Sequence, residues 1–392
     1  MRTLHVTNRY FPELQYGGPP ERIHALCVRL AAQGHQVDVL TRHSRLPAGN
    51  ASVNYQGVTV HYLGWHSLGS IEVPVSLNRV ASLVQSVDLV HIYGLYDLLG
   101  PMAAWLASFR RHPFVLEPMG MFLPIVRSVR KKQFYHATLG QWMVSRAARI
   151  VATSEQERAE IISTGVANDR IVVRRNGVDL ESFATPPAPG MMRRRLGIDD
   201  DAFVFLFLSR VSAKKNPEML LRAFARLAQP QARLVFVGPD EAEGYSDILA
   251  RLAADLGIQS QVIFAGPLYG EEKRAAFAAA DVFVLPSSNE NFGNVIAEAI
   301  AAQVPVIITN RCGIAPFVLG RAGLIIDCDE DQLVEAMSTI HACEDLRQSF
   351  RAASAQVAAE LSWDQAVDMT VSIYQDILAK QTFYQAKEHK LA

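Results

Sequence analysis

The sequence predicts an α/β protein built from two doubly wound, mostly parallel sheets. Three observations carry that prediction. Short apolar runs alternate with segments of helical periodicity along most of the chain. The alternation breaks once, after Asn176-Gly177-Val178-Asp179, where Pro186, Pro187, Pro189 and Gly190 cluster, and then restarts. The 392 residues suit roughly two or three domains, and 49% hydrophobic residues supply an ample core.

In the first half, Thr3 to Thr7 reads as a buried strand, followed by a loop, Asn8 to Pro20, that contains Gly17-Gly18 and Pro19-Pro20. Glu21 to Gln33 places Ile23, Leu26, Cys27, Leu30 and Ala31 on one side of a helix, and Gly34 stands at the C′ position that glycine favours. Gln36 to Thr41 is the next strand. The first loop is not G-x-G-x-x-G, so the dinucleotide fingerprint is absent. Further strands are expected at Val58–Leu63, Leu89–Tyr93, Phe114–Leu116, Arg149–Ala152 and Ile171–Val173. Helices are expected at Leu77–Val84, Pro101–Phe109, about 125–148 (one long helix or a pair) and Glu155–Ser163.

In the second half the strands are Phe203–Leu208, Arg233–Val237, Val262–Phe264, Val282–Leu285, Val304–Thr309 and Gly323–Ile326. Between them lie helices at Glu218–Leu227, Tyr245–Leu256, Glu271–Ala279 and Phe292–Ala302, and beyond Glu330 the chain is nearly all helical.

Composition narrows the function. A net charge of −1 lacks the basic footprint of a nucleic-acid partner. Cys27, Cys312, Cys328 and Cys343 have no metal-ligand spacing and read as reduced thiols of a cytoplasmic protein. The N-terminus reads as a strand rather than a signal peptide, and no apolar run is long enough to span a bilayer. A soluble or peripherally attached protein is the expectation.

The chemistry concentrates in Asp281–Asn310, a strand–loop–helix–strand unit. Its loop delivers Gly293 to the start of a helix, whose free N–H groups and dipole suit phosphate. Glu290 and Glu298 bracket that anion site, eight residues apart. A nucleotide-sugar explains the pairing: diphosphate on the helix terminus, hydroxyls on the carboxylates. The macrodipole alone also favours glutamate near a helix N-terminus. A second cluster, Ser209-Arg210-Val211-Ser212-Ala213-Lys214-Lys215-Asn216, follows the strand Phe203–Leu208, at the sheet edge where ligands bind. Arginine offers phosphate a planar fork and lysine a compact charge.

Taken in order, these motifs resemble the family 4 glycosyltransferases with the GT-B fold. The resemblance rests on Gly17-Gly18, Gly34-His35, Asn176-Gly177-Val178-Asp179, Arg210 with Lys215, the E-x7-E element Glu290 to Glu298, Ser362-Trp363 and Tyr374. It implies two Rossmann-like domains facing across a cleft. Residues 1–180, completed by a terminal helix of about 365–392, would bind acceptor, and residues 181–364 would bind donor. It implies that Arg210 and Lys215 hold the diphosphate and stabilise the leaving group, that Glu298 binds ribose, and that Glu290 meets the reacting face of the sugar. Backbone of Phe292, Gly293, Asn294 and Val295 would hold phosphate and sugar. Gly17 and Gly18 would close on the diphosphate, and the loop with Gly266 and Leu268 would receive the base. The implied reaction is retaining, metal-free and without a cofactor: hexosyl transfer from a UDP- or GDP-sugar to a glycan or lipid-linked acceptor in polysaccharide biosynthesis.

One position departs from the family pattern. Met119 stands where many relatives carry His or Arg, so His91, Tyr93 or Glu117 is expected to supply polar contact to the acceptor. The basic stretch 127–132 is a candidate for contact with anionic lipid at the inner face of the plasma membrane, against a solvated helix face as the plainer reading. Tyr135, Leu139, Trp142 and Met143, at helical spacing, read as core. The competing functions are a catalytically silent GT-B binding module and a GT-B sugar-nucleotide epimerase.

Overall fold

The computed structural model describes residues 1–13, 18–42, 51–68, 71–122 and 129–391. The chain divides into two units, Met1–Asn176 with Trp363–Ala392, and Gly177–Ser362. The first break precedes the proline cluster, and the chain re-enters the first unit at Trp363, where the last helix begins.

The first unit holds strands β1 (Arg2–Val6), β2 (Gln36–Arg42), β3 (Ala51–Tyr55), β4 (Val58–Leu63), β5 (Trp65–Leu68), β6 (Ile71–Pro74), β7 (Leu89–Tyr93), β8 (Phe114–Glu117), β9 (Arg149–Ala152) and β10 (Ile171–Val173). Eight of them form one sheet in the order β10-β9-β8-β7-β1-β2-β4-β3, parallel except for β3, while β5 and β6 pair as a separate hairpin. β1 is central, with Leu4 registered to Val90 of β7 and to Asp38 of β2. Alternate residues feed two cores, as period-2 geometry requires. One face contributes Leu4, Val90 and Ile92 to the core under the helices Leu77–Gln85 and Leu99–Phe109. The other contributes Val39, Leu89 and Tyr93 to the core under Gly18–Ala32 and the terminal helix Trp363–Leu391.

The second unit adds β11 (Phe203–Leu208), β12 (Ala232–Val237), β13 (Val262–Gly266), β14 (Val282–Leu285), β15 (Val306–Thr309) and β16 (Gly323–Ile326). All are parallel, in the order β13-β12-β11-β14-β15-β16. Winding reverses between β11 and β14. That switch point opens a crevice at the carboxyl ends of the strands, the usual ligand position in such sheets.

Departures from the expected elements have local causes. The first helix starts at Gly18 rather than Glu21, because Pro19 and Pro20 fit a first turn whose N–H groups have no intrahelical partner. The helix expected from Phe292 starts at Asn294, because Gly293 is left-handed at φ 98°. The strand expected from Val304 starts at Val306, after Pro305. The segment expected as one helix or a pair contains two α-helices, Val129–Tyr135 and Gln141–Arg146, joined by a π-helical turn at His136–Gly140. β3 and the β5–β6 hairpin were not expected; β3 is mostly exposed and carries no apolar run.

Candidate functional site

The switch point of the second unit assembles the predicted donor residues. After β11 the chain makes a turn at Ala213–Lys215, and Asn216, left-handed at φ 51°, precedes the helix Pro217–Leu227. After β14 comes the loop carrying Glu290. The two loops are stapled together: Ser288 N–H and Oγ both donate to the Lys214 carbonyl, at 2.9 and 3.0 Å. Asn216 Nδ2 donates to the Pro286 carbonyl at 2.9 Å. A third loop, after β15, joins them, since Glu290 N–H donates to Arg311 O and Gly313 N–H to Glu290 O, both at 2.9 Å. The geometry is therefore held by backbone before any ligand arrives.

On this frame Lys215 Nζ contacts Glu290 Oε2, both side chains being largely buried. Burial, with Lys214 and Arg210 nearby, pulls the Lys215 ammonium down to about 8. Cys312 and Glu241 work in the opposite direction, more weakly than burial. Arg210 is more open, 3.6 Å from Glu241, with 54% of its side chain exposed. Gly293 caps the helix Asn294–Ala301, and any Cβ there would lie 2.5 Å from Ile296 Cδ1 and 3.4 Å from Glu290 Cγ. Only glycine gives both the backbone angle and the space. Asn294 and Val295 form the first turn, where helix N–H groups carry the positive end of the dipole. Phe292 is buried beneath the loop.

Glu298, about one turn into that helix, is paired with Lys273 at 2.8 Å. Lys273 was not foreseen; it lies on the preceding helix Gly270–Ala279, and only the fold brings it to Glu298. On the far side of the sheet Gly266 ends β13 at φ 71°, and Leu268 is buried. Gly238, after β12, has room for no Cβ: it would stand 1.9 Å from the Ser209 carbonyl, so this glycine lets the β11 and β12 ends interlock.

In the first unit the expected acceptor residues are corrected. His91, Tyr93 and Glu117 are buried at 1%, 2% and 0% exposure, so these side chains do not present themselves to an acceptor. Glu117 is held by Arg174 at 2.6 Å, Arg22 at 3.0 Å and His91 Nε2 at 3.3 Å. Burial alone would raise its pKa, but the two guanidiniums outweigh that and hold the carboxyl far below the usual range. Burial lowers the pKa of His91, which bonds Tyr374 OH at 2.6 Å through Nδ1. Tyr93 OH lies 2.8 Å from His5 Nδ1. Arg22 also reaches Asn176 Oδ1 at 2.5 Å. This polar network ties β1, β7, β8, the first helix and the terminal helix together. Met119 is half-buried and left-handed at φ 56°, packed on the core under the terminal helix.

Gly17 and Arg127 lie outside the described residues; Gly18 is exposed and begins the first helix. Arg130 and Lys131 are exposed. Among the described residues no three His, Cys, Asp or Glu side chains group to hold a metal ion, and no helix is long and apolar enough to cross a membrane.

Comparison with known proteins agrees with this fold. Residues 17–177 match the model of the glycosyl transferase 4-like domain, and residues 191–357 that of the glycosyl transferases group 1. The chain is 30% identical to a D-inositol 3-phosphate glycosyltransferase of Stackebrandtia nassauensis, covering 90% of this chain and 85% of that one. A protein of the same name from Thermomonospora curvata is also 30% identical, covering 91% and 90%. Among solved structures, sucrose-phosphate synthase from Thermosynechococcus elongatus superposes with a TM-score of 0.79 at 20% identity, covering 97% of this chain and 99% of that one. Anabaena HepE in complex with UDP-glucose superposes at 0.75 and 19% identity, covering 96% and 100%.

Proposed function

The chain belongs to the family 4 glycosyltransferases, GT-B enzymes that take sugar from a nucleotide-sugar, and within that family we propose a retaining hexosyl transfer from a UDP- or GDP-sugar to a lipid-linked or growing glycan. One observation supports the donor assignment above all: the Lys215–Glu290 contact stands beside the N-terminus of Asn294–Ala301, on the two loops that flank a topological switch point.

In this reading Lys215 and Arg210 take up the negative charge that grows on the departing nucleoside diphosphate, and the helix dipole adds to them. Before donor arrives, Glu290 neutralises Lys215. The diphosphate then replaces it as counter-charge, freeing Glu290 to orient the sugar hydroxyls. Glu298 accepts hydrogen bonds from ribose, positioned by Lys273. Gly266 and Leu268 border the base. The acceptor attacks from the face the leaving group quits, which keeps the anomeric configuration, and neither metal nor cofactor takes part.

An acceptor of this kind places the enzyme in the cytoplasm at the inner face of the plasma membrane. Exposed Trp105 and Phe109, stacked at 5.8 Å, adjoin Arg110 and Arg111, a pairing suited to an anionic interface. The curated relatives named for D-inositol 3-phosphate make that polyol the first soluble acceptor to try. A thermal-shift screen of UDP-, GDP-, ADP- and TDP-sugars identifies the donor. Nuclear magnetic resonance of the product then reads the anomer, and an inverted linkage rules out the retaining course. Failure to float with anionic vesicles at low salt removes the membrane contact.

A further inference from the structure

The first unit has its own switch point, between β1 and β7, and a cavity of about 870 Å³ lies there at the carboxyl ends of β1, β2, β4 and β7. Its volume is near the upper end of ligand pockets, roughly 300–1,000 Å³. The body of the wall is apolar, from Leu63, Trp65, Pro74, Leu98, Leu99 and Tyr135. Two large apolar side chains, Phe134 and Leu139, stay 74% and 37% exposed while lining it.

The charges around this cavity are unevenly distributed. Glu72 is paired with Arg42, whose guanidinium also lies 5.2 Å from the centre of the Trp65 ring. Asp97 accepts a 2.7 Å hydrogen bond from Gly100 N–H and so caps the helix Leu99–Phe109. Both acidic groups in the wall are thus committed. The wall's other cations, Arg130, Lys131 and Lys132, stand together on the helix Val129–Tyr135, with Lys132 5.2 Å from the Tyr96 ring centre. An apolar body with one cationic rim calls for a ligand of matching polarity.

We propose that this cavity binds the acceptor's aglycone: a hydrocarbon chain lies against Trp65, Leu98, Leu99 and Leu139, and its phosphate ester is held by Arg130, Lys131 and Lys132. The assignment deepens the glycosyl-transfer reading and rests on it. A compact polyol phosphate fits less well, because it would leave the apolar surface of Leu63, Trp65, Pro74, Leu98 and Leu99 without a matching partner.

The test uses the full chain and three probes: decyl phosphate kept below its micelle-forming concentration, inorganic phosphate, and D-inositol 3-phosphate. Binding is followed by titration calorimetry. Decyl phosphate is expected to bind saturably and at least tenfold tighter than either of the others. The double substitution Lys131→Ala with Lys132→Ala, at the rim, should weaken it about tenfold or more. Leu139→Asp, at a half-exposed position, should weaken it similarly without unfolding the protein. Equal affinity for all three probes, or variants that bind decyl phosphate like wild type, overturns the assignment. Nucleotide-sugar binding is measured on the same samples. Its absence in the wild type overturns the donor reading, whereas its retention beside a flat decyl phosphate response overturns the cavity assignment alone.

Discussion

Raising the pH should loosen the donor, and the size of the effect follows from Lys215. Its ammonium sits at about 8 in the free protein, so at pH 7 about ten in eleven molecules carry the charge and at pH 9 about one in eleven. A diphosphate binds the charged form and, once bound, raises that pKa, because it brings two negative charges where the Glu290 carboxylate brought one. Binding therefore takes up a proton above pH 8, and affinity falls as pH rises. Between pH 7 and 9 the dissociation constant should increase about tenfold, close to 1.4 kcal/mol. The ligand should be the intact nucleotide-sugar, whose diphosphate is esterified at both ends and does not titrate in this range. Titration calorimetry in two buffers of different ionisation enthalpy reads both the affinity and the proton uptake. Lys215→Arg keeps its charge throughout and should abolish the pH dependence. A wild-type affinity that stays flat from pH 7 to 9, or an equal slope in Lys215→Arg, refutes the claim that this ammonium meets the diphosphate.

Four further outcomes follow. Glu298→Ala should weaken nucleotide-sugar binding by about 1.5–3 kcal/mol, the value of hydrogen bonds to a charged group, with little change in melting temperature; unchanged affinity would remove Glu298 from the ribose. Gly293→Ala should cost about 1–3 kcal/mol of stability through its backbone angle and should also lower turnover, read by urea unfolding and by kinetics on the same sample. Glu117→Ala leaves Arg22 and Arg174 buried without their carboxylate and should destabilise the first unit by about 3–5 kcal/mol, while nucleotide-sugar affinity of the folded protein stays as in wild type. Turnover in excess EDTA should equal that in buffer alone, and its loss would contradict metal-free transfer.

Much of this architecture could be read before folding because parallel strands buried on both faces are unbroken apolar runs. Leu89–Tyr93, Arg149–Ala152 and Phe203–Leu208 fall where the runs do. The candidate donor residues stand out in the sequence for a related reason: Arg210 with Lys215, and Glu290 with Glu298, are each spaced within one loop–helix segment, so their joint presence is visible without knowledge of the fold. What escaped was long-range. Lys273 gains meaning only when its helix packs beside Glu298, and the cavity of the first unit draws its wall from the ends of four strands, a hairpin and a helix. The reading of His91, Tyr93 and Glu117 failed on a signal that was present in the sequence. Leu89-Val90-His91-Ile92-Tyr93 shows no polar–apolar alternation, and all five residues are buried. A histidine in such a strand must find its partners inside the protein, because a buried polar group left unpaired costs more than its hydrogen bond returns. Tyr374, from the far end of the sequence, and Glu117, from the neighbouring strand, are those partners. The polar residues of a doubly buried strand are therefore best assigned first to the core, and sought at a ligand only where the strand has ended, as Asn8 and Tyr96 are at the cavity.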